Sequence, residues 1–126
     1  MKMSRGGMTL TEVLIVIVIL GILAGLVLPR YLGQEERGIV AEAVGMLSAI
    51  RQAEVAYHLE HSAYTANLAD LDLDLTQIKF TYTVDAGTGT ATATRTGGGT
   101  DFDGTTLILN IDGTWDPAAT HPFKPK

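Results

Sequence analysis

The chain has 126 residues, no cysteine and a net charge of −5. That length fits one small domain, and the missing cysteines exclude disulfide staples, thiolate nucleophiles and cysteine metal sites. An acidic chain lacks the basic face that nucleic-acid phosphates require, so no nucleic-acid partner is expected.

The charge is unevenly placed. Residues 1–7 (MKMSRGG) hold Lys2 and Arg5; without them seven basic side chains face fourteen acidic ones, a balance of −7. Residues 13–28 (VLIVIVILGILAGLVL) then carry no charge and no strongly polar group. Counted from Met8 this segment spans roughly 31 Å as a helix at ~1.5 Å per residue, about the thickness of a bilayer hydrocarbon core. Arg30 follows as a polar stop. A secretory signal runs basic, apolar, cleavage site. Here the small-residue pair Gly6-Gly7 precedes the apolar run, so a cut there removes only the basic leader and leaves the span attached. Ala24-Gly25 offers only a poor site for conventional signal cleavage, the weaker alternative.

From Gln34 the spacing is helical: Val40, Val44, Leu47, Ile50, Ala53 and Tyr57 form one apolar stripe. Glu36, Glu42, Arg51, Glu54 and Glu60 are placed mostly off it. Pro29 ordinarily kinks a helix, but the helical pattern resumes at once, so one long bent helix is expected from about Thr9 to His61. In the following loop Leu68, Leu71, Leu73 and Leu75 are expected to turn inward and Asp70, Asp72 and Asp74 outward. The period then changes to two. KFTYTV (79–84), TATATRT (90–96) and TLILNI (106–111), separated by Gly- and Asp-rich turns, predict an antiparallel three-stranded meander covering the helix stripe. Asp116 to Lys126, with three of the four prolines, is expected to be irregular.

Four features are candidates for a functional role. Glu12 is an acid just inside the apolar helix; by itself it reads either as an interfacial acid favoured by the helix dipole or as an assembly partner. Gly21 and Gly25 form a G-x-x-x-G pair suited to close helix approach. Glu54, His58 and His61 share a helix face at metal-ligand spacing, but a solvated helix end, with the histidines near its negative pole, is the favoured reading. Asp101 and Asp103 before Gly104 have oxygen-ligand spacing suited to calcium, against the commonness of acidic turns; no metal is favoured. Tyr31, Tyr57 and Tyr64 are expected to pack. No nucleophile elbow, zincin motif or phosphate loop occurs, so no enzyme is expected.

Gly7 before the cleavage point, Thr9-Leu10-Thr11-Glu12-Val13 after it, the apolar run and Pro29-Arg30 resemble the start of type IV pilins and related pseudopilins. Met8 stands where that family usually has phenylalanine. The resemblance implies an α+β pilin fold divided into a leader (1–7), a membrane and filament-core helix (8–33) and a globular domain (34–126). It implies that prepilin peptidase cuts between Gly7 and Met8 and methylates the Met8 amine. The subunit then rests in the inner membrane, among lipid, until assembly machinery packs it with identical subunits into a helical filament. Glu12 is implied to accept a neighbour's Met8 amine, and the segment 21–29, with Gly21, Gly25 and Pro29, to unwind on assembly. Related pseudopilins hold calcium in a loop of the sheet. The filament is expected to be an extracellular pilus; the alternatives are a periplasmic pseudopilus of a type II secretion system and, from another class, a monomeric signal-anchored binding module.

Overall fold

The computed structural model describes residues 7–75 and 79–126. Helix α1 (Leu10–His61) is followed by a short 3-10 turn (Leu68–Leu71) and three strands, β1 (Phe80–Val84), β2 (Ala91–Arg95) and β3 (Thr106–Leu109). The chain divides into two units, Met1–Glu36 and Arg37–Lys126.

In the first unit the helical residues run on through Pro29. Leu10–Val27 has a mean hydropathy of 2.8 and no part of it is buried. Every large apolar side chain from Val13 to Leu26 is at least 41% exposed. So much unpartnered apolar surface suits lipid or a bundle of like helices rather than water.

The second unit is an antiparallel meander of order β1-β2-β3 against the later half of α1. Alternation puts Phe80, Tyr82 and Val84, Ala91, Ala93 and Arg95, and Leu107 and Leu109 on the buried face. In cross-strand rows, Tyr82 pairs with Ala93 and Ala93 with Leu107, while Val84 pairs with Ala91 and Ala91 with Leu109. The central strand thus presents small residues between large ones, and Ala43, Leu47 and Ile50 join the same core. Threonines fill much of the outer face, where a β-branched side chain suits the pleat.

The stripe on α1 has a different phase from the one expected. Glu36, Val40, Ala43, Leu47, Ile50 and Glu54 step by four, three, four, three and four, and all are buried. Val44, Ala53 and Tyr57 are half-buried beside them. Two acids assigned to the solvent side therefore belong to the buried one: Glu36 is 3% exposed and Glu54 is fully buried. Helical spacing puts them there, and it outweighs side-chain charge as a guide. Arg51 also departs from its expected place. It is half-buried, and its Nε donates to the carbonyl of Ile111 at 2.9 Å, tying α1 to the turn after β3.

The loops follow the expected pattern. Leu71 is buried, Leu68, Leu73 and Leu75 are half-buried, and Asp70, Asp72 and Asp74 are exposed. Asn67 caps the 3-10 turn by accepting from the N–H of Ala69. Gly89 ends the β1–β2 turn at φ +70°, a left-handed conformation open chiefly to glycine. A Cβ there would lie 2.9 Å from the Tyr64 ring.

The tail after Asp116 forms no regular element, yet it is packed. The N–H groups of Asp116 and His121 donate to the carbonyls of Ile108 and Thr106, both at 3.0 Å. Trp115 bridges Leu109. The tail therefore covers the outer edge of β3, which would otherwise expose unpaired backbone groups. His121 is 1% exposed, among Phe80, Phe102 and Phe123, and its Nδ1 accepts the N–H of Phe123 at 3.2 Å.

Candidate assembly site at the amino terminus

Two reciprocal hydrogen bonds start helix α1. The N–H of Thr9 donates to Glu12 Oε2 at 3.2 Å, and the N–H of Glu12 donates to Thr9 Oγ1 at 3.2 Å. This is a capping box, in which two helix N–H groups that would lack partners are satisfied by side chains three residues apart. The Glu12 carboxylate also sits at the positive end of the helix dipole. Glu12 is exposed, so the carboxylate stays open to further donors. Met8 directly precedes Thr9. A cut after Gly7 would create an amine one residue from the cap.

Gly21 and Gly25 lie in the exposed apolar helix, one turn apart, with nothing within 4 Å of either Cβ position. They leave a shallow strip where another helix can approach. Pro29 is helical, but its side chain, like that of Tyr31, lies outside the described residues.

The other candidates do not converge. Glu54 is buried and its Oε2 accepts the N–H of Thr65 at 3.1 Å. His58 stacks on Tyr64 at 4.5 Å, and His61 stacks on Tyr57 at 4.0 Å. The three therefore face separate environments, and the expectation that Glu54 shares a solvated helix end is corrected: burial raises its carboxyl above the usual range, and the Thr65 bond opposes this in part. Asp101 and Asp103 are exposed, and Asp103 Oδ2 accepts the N–H of Gly99 at 2.7 Å. Calcium takes six to eight oxygens. Among the described residues no group of three or more His, Cys, Asp or Glu gathers.

Sequence reasoning missed the capping box, the buried acids and the aromatic nest around His121. The first was readable as T-x-x-E before an apolar run. Within the nest, the Arg37 guanidinium lies 4.7 Å above the Phe123 ring. Buried Tyr82 is pushed up to about 12, chiefly by desolvation and secondly by the charge of Glu42.

The prokaryotic N-terminal methylation motif matches residues 2–28, the segment holding Gly7, the capping box and the apolar helix. Over this segment the chain is similar to pilins and pseudopilins. It is similar to the type II secretion system core protein G of Aeromonas hydrophila, 41% identical over 71 residues, which cover 56% of this chain and 50% of that protein. The protein of the same description from Vibrio cholerae is 43% identical over 61 residues, 48% of this chain and 42% of that one. A fimbrial protein of Neisseria meningitidis is 37% identical over 67 residues, 53% of this chain and 39% of that one. The chain thus spans about half the length of these relatives. The methylation motif and the exposed apolar helix fit an anchor in the inner membrane.

Proposed function

We propose that this chain is a filament subunit, cut between Gly7 and Met8 and methylated at the Met8 amine by a prepilin peptidase. It is stored in the inner membrane through Leu10–Val27 and polymerised with identical subunits by a membrane assembly machine. The observation that carries this reading is a wholly exposed apolar helix that opens, directly after Gly7, on an acid in a capping box.

Glu12 has a task at each stage. In the membrane subunit it satisfies the N–H of Thr9 and lies near the headgroup region, where an acid is tolerated better than at the bilayer centre. In a filament core made of apolar helices, an unpaired carboxylate is costly and a neighbour's Met8 amine offsets that cost. The pairing would fix the register between subunits, while Gly21 and Gly25 allow close approach. Unwinding over 21–29, helical here, would accommodate stretching of the packed span. The relatives described as secretion core proteins favour a short periplasmic pseudopilus; the fimbrial relative keeps a surface pilus as the second reading.

Substitutions at Glu12 test the proposal. Glu12→Val removes both cap and charge, whereas Glu12→Gln can retain the cap without the charge, since glutamine serves at this position of a capping box. Both variants are expected to insert normally and to yield few filaments. Wild-type filament yield from Glu12→Val overturns the assembly role, and wild-type yield from Glu12→Gln overturns the charge pairing.

A further inference from the structure

We propose that a hollow between Trp115 and the tail is a binding site for a neutral saccharide, with the indole as the platform for a sugar ring. The site lies wholly within the globular unit and goes beyond the filament reading, on which it does not depend.

Trp115 bridges Leu109 and packs against the core, and it also lines a hollow of about 360 Å³. That volume falls within the range of small-molecule sites, roughly 300–1,000 Å³. The other walls come from the tail. Pro117, Pro122 and Pro125 supply apolar surface, and Asp116, Lys124 and Lys126 supply polar groups. Hydrogen bonds hold these walls in place. The N–H of Asp116 donates to the Ile108 carbonyl at 3.0 Å, and Lys124 Nζ donates to the carbonyls of Pro117 and Ala119 at 2.8 and 2.5 Å. The hollow is therefore preformed, as small-molecule sites usually are.

The polar atoms left over decide the ligand. Asp116 Oδ1 accepts the N–H of Ala118 at 2.8 Å, while Oδ2 has no hydrogen-bond partner among the described residues. The Trp115 indole N–H and the Lys126 ammonium also have none there. An apolar base thus carries one open acceptor and two open donors. A hydroxyl group both donates and accepts. A sugar ring has an apolar C–H face with hydroxyls around its edge, so its face suits the indole and the proline rings and its edge suits the open polar atoms. Charge narrows the class further. An anionic ligand would meet the Asp116 carboxylate and a cationic one the two lysines, and like charges brought together are costly. A peptide fits less well. Strand addition needs a free sheet edge, and the tail already covers that of β3. Polyproline docking needs a groove lined by aromatics, and Trp115 is the one aromatic residue in this lining.

Trp115 is the chain's only tryptophan, so its emission reports on this hollow alone. The full-length chain, in a detergent without sugar headgroups, is titrated with cellotetraose and with the tetramer of N-acetylglucosamine. At least one is expected to shift the emission saturably, with the same affinity by calorimetry. Asp116→Asn keeps an acceptor for the Ala118 N–H but puts a donor in place of Oδ2, and is expected to weaken binding roughly fivefold to tenfold. Lys126→Ala, at an exposed position, is expected to weaken it without disturbing the fold. Asp74→Asn, in the loop after α1, is expected to leave it unchanged. No saturable response to either oligosaccharide by either method overturns the proposal. So does binding that both Asp116→Asn and Lys126→Ala leave unchanged. Binding of an oligogalacturonate or of a proline-rich peptide in preference to the neutral sugars assigns the hollow to another ligand and also overturns it. None of these outcomes touches the filament reading, which stands or falls on Glu12.

Discussion

Glu54 Oε2 accepts the backbone N–H of Thr65 at 3.1 Å, joining the last turns of α1 to the loop that leaves it. Thr65 Oγ1 in turn donates to Asp70 at 3.0 Å and accepts the N–H of Asn67, so the acid anchors the entrance to the 3-10 turn. Its other oxygen, Oε1, is buried without a hydrogen-bond partner among the described residues. Desolvation favours the neutral acid, and Glu54 is raised above its ordinary value of 4.5.

The sign of the pH dependence follows. The folded chain holds this proton more tightly than the unfolded one, so the associated stability is complete below the unfolded value and is lost as pH rises through the folded one. Glu54→Gln retains an acceptor for Thr65 and removes the titration. The mature chain in detergent is expected to melt lower at neutral than at acid pH through this group, and the variant to show a smaller difference. Equal pH profiles of melting for the two chains would refute the assignment.

Leu47 and Arg51 separate core packing from tethering. Leu47 is fully buried between helix and sheet, and truncating such a residue to alanine costs about 2–5 kcal/mol. Arg51 holds the Ile111 carbonyl and lies beside Gly113, whose Cβ position is 3.3 Å from the guanidinium. A hydrogen bond from a charged donor contributes about 1.5–3 kcal/mol, less here because the site is only half-buried. Thermal melts should rank wild type above Arg51→Ala and Arg51→Ala above Leu47→Ala. Unchanged melting of Arg51→Ala would mean that the tether carries no stability.

Gly89 and Gly99 distinguish backbone conformation from contact. Both have positive φ, but an added Cβ meets the Tyr64 ring only at Gly89; at Gly99 nothing lies within 4 Å. Left-handed backbone costs a non-glycine residue about 1–2 kcal/mol. Gly99→Ala should lose roughly that much by chemical denaturation, and Gly89→Ala more, since Tyr64 must also move off His58. Equal losses would argue against the packing of Tyr64 on the β1–β2 turn.

Much of this architecture was legible in the sequence because its signals are periodic. Phe80, Tyr82 and Val84 alternate with threonines, and the three strands lie where that alternation placed them. The inward leucines and outward aspartates of residues 68–75 were also readable. Glu36 and Glu54 were not, because a charged residue is ordinarily assigned to water, whereas both of these are buried. Arg51 was misplaced for a related reason: its partner, the Ile111 carbonyl, is sixty residues away. His121 sits in a proline-rich tail with no periodicity, and its burial depends on three phenylalanines from separate segments. The capping box was legible in Thr9 and Glu12, whose T-x-x-E spacing precedes an apolar run.

The central claim is that Gly7 marks the cut and that everything after it, including the apolar helix, enters the filament. Intact-mass measurement of the purified filament subunit tests this most directly. The account predicts a chain beginning at Met8 that carries one added methyl group on its amine. A subunit that retains Lys2, or one that begins beyond Leu23, would contradict it.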